Sequence, residues 1–384
     1  MGLMAGRTQS DVKKGGAAMP VVPAAGAVEP PRALSVGLSR LSPMRWLLTL
    51  SALTAAAVLV LLICLQFGAE RIGLAEEMRI VSLAVREGQA GIESAGAAGV
   101  ILMQVRLPRV LLAFMVGGCL AAVGVGLQAL LRNPLADPYV LGISSGAALG
   151  AGLAILFGLT GTVLAFSALP LCAMAGGLFS VLVVYRIATA YGYLPIHTLL
   201  LAGVILNAIF SALVMFVTSI MEPNRSFGMM SWLMGTLTAP DYPAMLVLAG
   251  YLLAGLFVLF RQAASLNLLT LGEESARSLG VDVETVKKTV FFTSALLTGA
   301  VVSVSGMIGF VGMVIPHAMR LLTGADHRLL LPASALVGGL YLMTADTIAR
   351  TLLAPTEIPV GVVTALAGGP FFIYLLTSRK GRLA

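Results

Sequence analysis

Charge is what this chain has least of. Only 11% of its 384 residues are Asp, Glu, Lys or Arg, against 58% hydrophobic, and mean hydropathy stands at +0.98. A soluble domain devotes about a quarter of its residues to charge, so that class is excluded. Cysteine is nearly absent. Cys64, Cys119 and Cys172 all lie in apolar runs at spacings that fit neither a metal site nor a disulfide framework, and they read as small packing residues. No G-x-x-x-x-G-K-[ST] phosphate loop, no G-x-S-x-G elbow and no zinc pattern is present. The chain therefore reads as a non-enzyme with no metal site and no cofactor of its own, and any nucleotide chemistry must come from another chain.

What is abundant is apolar sequence in runs of about twenty residues, each long enough to cross a hydrocarbon core of about 30 Å. Counting between polar breaks predicts ten spans: 45–67, 110–131, 139–159, 163–185, 196–220, 242–260, 288–308, 309–322, 329–349 and 358–377. The stretch VSGMIGFVGMVIPHAMRLLTG reads either as one broken helix or as two helices joined by a tight turn. The 43 glycines lie largely within these runs, where small residues let helices approach closely. The fold class expected is an all-α polytopic membrane protein of about ten helices. Residues 45–380 form the membrane domain, with 1–44, rich in Ala, Gly, Pro and Val, as a disordered tail and 381–384 as a short C-terminal one.

Orientation follows from the excess of basic residues on the cytoplasmic side of membrane proteins. With the N-terminus inside, 17 of the 24 Lys and Arg fall on the inner side and both termini are cytoplasmic. Arg106 and Arg109, in RLPRVLLAFMVGG, then lie outside, against the trend. They are three residues apart and share a helix face, and the proline between them suits a first helical turn. Arg350, which closes TADTIAR, lies near the same side. Outward arginines can serve lipid phosphates, or they can dock an acidic partner.

Residues 262–288 form the one long polar segment expected on the inner side. Thr270 and Glu273 have capping-box spacing, Glu273 and Glu274 precede Arg277 in the order the helix dipole favours, and Gly280 is placed to end the helix. A short rigid helix of about two turns is predicted. Polar residues within spans mark pathway or gate candidates: Gln128, Asn133, Ser144, Ser145, Asn207, His317 and Asp346. The prolines of NPLADP (133–138) indicate a rigid break, with Asn133 or Asp137 capping the helix that follows.

Several long stretches carry a family resemblance: RLPRVLLAFMVGGCLAAVGVGLQALLRNPLADPYVLGISSGAALGA (106–151), LLLAGVILNAIFSALVMF (199–216), LLTLGEESARSLGVDVETVKK (268–288), GMIGFVGMVIPHAMRLLTGADHRLLLPASALVGG (306–339) and EIPVGVVTALAGGPFFIYLL (357–376). Over essentially 45–380 the chain resembles the FecCD family, permease subunits of binding-protein-dependent ABC importers for iron–siderophores, haem and cobalamin. The resemblance implies the type II importer permease fold with ten helices in a bacterial or archaeal inner membrane. It implies a second permease subunit, taken as a homodimer, two cytosolic ATPases that bind ATP and Mg, and an external substrate-binding protein; no nucleic acid is involved. It implies that Arg106, Arg109 and Arg350 face acidic residues of the binding protein. It makes 262–288 the coupling segment, with Leu271, Ala276, Leu279 and Gly280 as apolar contacts to the ATPase and Glu273, Glu274 and Arg277 as rim. It places His197 and Thr198 near an inner gate. Among the chelates, iron–siderophore is the expected cargo. The rival reading, a secondary transporter driven by an ion gradient, expects carboxylates at mid-membrane, whereas all 17 acidic residues fall in predicted loops or near span ends.

Overall fold

The computed structural model describes residues 42–380 apart from 69, 160, 164–165 and 190–192; the tail assigned to 1–41 and the one at 381–384 lie outside the described residues. Ser42 caps the first helix by accepting from Arg45 N–H at 3.1 Å. That helix, α1 (Pro43–Gln66), is followed by α2 (Leu74–Glu87), α3 (Gln89–Ser94) and α4 (Gly96–Val100), which run through a π-helical turn (Ile101–Arg106) into α5 (Leu107–Leu130). A 3₁₀ turn (Pro138–Leu141) precedes α6 (Ile143–Leu156), then come α7 (Ala168–Ala188), α8 (Ile196–Ser219), the short α9 (Pro223–Leu233) and α10 (Tyr242–Arg261). Two short helices, α11 (Ala263–Leu269) and α12 (Glu273–Ser278), lead to α13 (Val283–Ser305), α14 (Val311–Thr323), α15 (His327–Thr351) and α16 (Val360–Lys380). A two-residue ladder pairs Thr162–Val163 with Phe166–Ser167.

The ten expected spans correspond to α1, α5, α6, α7, α8, α10, α13, α14, α15 and α16. Among the described residues seven helices are long and apolar enough to cross a membrane alone, while α6, α14 and the apolar part of α16 are shorter. Most of 74–106, and 223–233, are helical too, which the span count missed because neither contains a twenty-residue apolar run. Pro108 is the second residue of α5, the early position expected of it, although the chain is already helical from Gly96 and enters α5 through the π turn closed by Leu107 N–H on Leu102 O. The stretch after Ser305 resolves into two helices: a five-residue turn, 306–310, separates α13 from α14. Phe310 holds φ +69° there, unusual for a bulky residue, and Tyr139 clamps the turn by donating to Ile308 O at 2.8 Å and accepting from Ile308 N–H at 2.9 Å.

α5 forms the centre, packed on α10, α13, α14 and α15. Small residues set its closest approach. A Cβ on Gly117 would strike the carbonyl of Gly338 in α15, and one on Gly338 would strike the carbonyl of Gly117. Gly146 of α6 and Gly176 of α7 face each other in the same reciprocal way. Without a hydrophobic drive between helices in lipid, such backbone-close contacts are a main source of packing energy.

Two helix-interior prolines are each matched by a donor from elsewhere. Pro316 cannot bond back to Gly312 O, and the amide Nε2 of Gln128 reaches that carbonyl at 3.4 Å and Met313 O at 3.2 Å. Pro332 frees Arg328 O in the same manner, and the indole Nε1 of Trp46 donates to it at 3.2 Å. In a double-mutant cycle, Trp46→Phe should therefore cost about 1 kcal/mol in the natural chain and close to nothing in a Pro332→Ala background. Thermal unfolding of the four proteins in one detergent measures the difference.

Candidate functional site

Functional candidates gather at the two ends of the bundle. At the end where α1 finishes, the structure brings Arg106, Arg109 and Arg350 together, as expected, but it turns them inward. Arg106 is 4% exposed; its Nη1 donates to Leu65 O at 3.0 Å and Gln66 O at 3.4 Å, and its Nη2 to Glu70 O. Arg350 is 6% exposed, with Nη2 donating to Cys64 O at 3.0 Å. The last carbonyls of α1 have no intrahelical partner, and a guanidinium with five donors satisfies several at once while its charge complements the dipole. That physical demand corrects the expectation of a free, outward-facing charge cluster.

Arg109 is the member that keeps some surface, at 18%. It donates through Nε and Nη2 to one oxygen of Asp346, at 3.0 and 2.9 Å, and through Nη1 to Glu357 at 2.9 Å. Asp346 is 0% exposed and also pairs with Arg350 Nε at 3.4 Å, so one buried carboxylate lies between two guanidinia. The signal for this was present in the sequence: Asp346 precedes Arg350 by four residues on one helix, the spacing at which opposite charges meet.

At the other end stands α12. Gly280, at φ +85°, closes it, and the motif is a full one: Val281 N–H bonds to Ala276 O and Gly280 N–H to Arg277 O, both at 3.0 Å. The capping box does not form. Gly272, at φ +117°, starts α12, while Thr270 belongs to the end of α11 and donates its hydroxyl to Asn267 O at 2.7 Å. Glu273 is no rim residue: its carboxylate meets Lys287 at 3.2 and 3.3 Å and lies 3.6 Å from both Arg132 and Arg277. Ala276 is wholly buried and offers no surface to a partner. Leu271, Glu274, Arg277, Leu279 and Gly280 are exposed, the two leucines prominently. Asp282 caps α13, and hydrogen bonds from the Thr285 hydroxyl and N–H hold its carboxylate below the usual range.

The pathway candidates separate by burial. Gln128, Ser144 and Ser145 are buried within the single chain; Gln128 is held by Gly312, Met313 and Arg320, and Ser145 donates to Gly142 O at 3.1 Å, so the polar groups of Gln128 and Ser145 serve the fold. Asn133 is exposed, its Oδ1 accepting from Leu135 N–H at 2.9 Å in an Asx turn, and Asp137 takes the capping role by accepting from Tyr139 N–H at 2.9 Å. His197 and Thr198 are exposed in the first turn of α8, and Asn207 is half-buried further along it. The three on α8 and Asn133 are therefore the candidates that present surface.

A bundle with seven helices, among the described residues, long and apolar enough to cross a bilayer, carrying a short rigid helix at one end, defines a multi-pass membrane protein. The chain belongs to the FecCD transport family, whose model matches residues 42–378. It is 45% identical over 287 residues to the hemin transport system permease protein HmuU of Yersinia pestis, covering 73% of this chain and 84% of that one. It is 44% identical over 286 residues to the cobalamin import system permease protein BtuC of Halobacterium salinarum, covering 74% and 75%. A solved metal-chelate type ABC transporter in an inward-facing conformation superposes with a TM-score of 0.72 at 33% identity, covering 86% of this chain and 99% of that one. The type II importer permease fold follows.

Asp346→Ala strips the buried Arg350 and the half-buried Arg109 of their shared counter-ion and should cost about 3–5 kcal/mol, against less than about 1 kcal/mol for the exposed Glu357→Ala. Thermal unfolding in detergent distinguishes the two; equal losses would contradict the inward-facing geometry.

Proposed function

We propose that this chain forms half of the translocation pathway of an ATP-driven importer in a bacterial or archaeal inner membrane, moving a metal chelate delivered by an external binding protein. Iron–siderophore is the cargo we favour, with haem and cobalamin in the same class. The observation that carries the reading is α12: a six-residue helix closed by Gly280, set outside the apolar bundle, and presenting Leu271 and Leu279 to a partner. A cytosolic ATPase, which would hold ATP and Mg, fits that surface, with Glu274 and Arg277 at its edge. This orientation puts both termini in the cytoplasm.

The second permease subunit would be a copy of this chain. α8 supports that pairing through an apolar face of Leu201, Ile205, Ile209 and Phe216, with His197, Thr198 and Asn207 on the same helix available to a shared pathway. At the opposite end the binding protein would dock by its carboxylates at Arg109, in exchange for Glu357, while Arg106 and Arg350 hold the platform. The ion-gradient alternative is not favoured, because Asp346, the carboxylate buried within a span, is bound to two arginines and has no freedom to exchange an ion.

Reconstitution with the ATPase and binding protein, followed by ATP-dependent uptake of labelled ferric siderophore, haem and cobalamin, tests the reading and ranks the cargo. Leu271→Asp with Leu279→Asp should cut uptake at least about tenfold with the dimer intact. Glu357→Ala should tighten binding-protein capture by about two- to fivefold, the worth of one exposed ion pair; unchanged or weaker capture would move the docking site away from Arg109.

A further inference from the structure

The charges under α12 form a connected set that the coupling reading alone does not require. Lys287 lies one turn into α13 and is 2% exposed. Its ammonium is 2.8 Å from Glu284 Oε1 and 3.2 Å from Glu273 Oε2. Each of those carboxylates holds something else. Glu273, the first residue of α12, also meets Arg132, which sits two residues past the end of α5 with a left-handed backbone at φ +47°. Glu284 accepts the backbone N–H of Leu194 at 3.1 Å, two residues before α8 begins. Arg277 spans both acids, at 3.6 and 3.8 Å. One buried cation thus joins α12 to α13, to the exit of α5 and to the entry of α8.

The chemistry explains why the joint is stiff. An ammonium is a compact charge with three donors, suited to bridging two carboxylates. Buried, it is stable only while paired, and a glutamate that leaves it gives up a short charge-assisted contact that no water replaces. Ala276, within α12 itself, is wholly buried, so the helix is seated closely on its neighbours. A tilt of α12 must then carry the α5 exit and the α8 entry with it.

We propose that Lys287 is the positioning residue that transmits displacement of α12 to α5 and α8. The proposal rests on the importer reading above for its purpose, but not for its geometry. Lys287→Met keeps the length of the side chain and removes the charge. In the reconstituted complex it should lower chelate moved per ATP hydrolysed at least about tenfold while ATP turnover stays within about twofold, and Lys287→Arg should restore most of the ratio. A brace with no relay role would instead lower both rates together and leave their ratio unchanged, which overturns the proposal.

A second arm needs no ATPase. Nitroxides at Ser278→Cys and His197→Cys, in a background with Cys64, Cys119 and Cys172 replaced by Ala, report the α12–α8 distance in the permease dimer. The natural Lys287 should give one narrow distribution and Lys287→Met a broad one; a distribution left narrow sinks the relay. Should Lys287→Met fail to assemble, Glu284→Gln, which keeps an acceptor for Leu194 and loses only the charge, carries both arms. A complex showing no ATP-dependent uptake with Lys287 intact would reject the importer reading, and the distance distributions would still decide the role of Lys287.

Discussion

A helix that stops inside an apolar bundle leaves backbone groups with no water to receive them, and in lipid each one is expensive. That constraint organises this molecule. The carbonyls at the end of α1 are met by Arg106 and Arg350, the turn between α13 and α14 by the hydroxyl of Tyr139, and the carbonyls freed by Pro316 and Pro332 by Gln128 and Trp46. Each donor comes from a different helix than the acceptor it serves. The polar side chains that look expensive in the sequence are therefore the fasteners between helices whose apolar sides alone would slide.

The few charges follow a second rule, concentration. At one end a single buried carboxylate lies between two guanidinia, and at the other a single buried ammonium lies between two carboxylates. Each arrangement keeps its central ion fully paired, and each ties together segments remote in sequence. Between them the bundle is held by close packing, with Gly117 against Gly338 and Gly146 against Gly176. A membrane subunit that must shift its helices without falling apart suits this division: stiff joints at the two ends, and smooth backbone contact in the middle.

The spans were legible because a twenty-residue apolar run suits little besides a bilayer, and each of the ten expected corresponds to a helix. The Gly280 stop of α12 was legible for a similar reason: a glycine after a charged turn is local information. The direction in which side chains point was not legible. Thr270 and Glu273 match a capping box letter for letter, yet Gly272 takes the cap and a buried lysine fourteen residues on takes the carboxylate. Arg106 and Arg350 read as surface charges because their acceptors, backbone carbonyls of α1, have no signature in the sequence and lie 41 and 286 residues away. Ser144, Ser145 and Gln128 read as pathway residues on their polarity alone. Ser145 is satisfied locally by the carbonyl of Gly142, three residues back, whereas the acceptor of Gln128 is a backbone carbonyl 185 residues away, which only the assembled chain brings within reach.

The grip on α1 bears on the order in which the chain is put together. Along its length α1 is the least enclosed of the long helices, with 11% of its apolar window buried, and it leans mainly on α15. Its near end is held by Thr323 and Arg328, through Arg45 and Trp46, and its far end by Arg350. Those contacts come from residues made some 280 positions later. α1 is thus secured in two stages: Arg106, 41 residues on, takes the carbonyls of Leu65 and Gln66, and the long apolar side waits for α15 to dock against it.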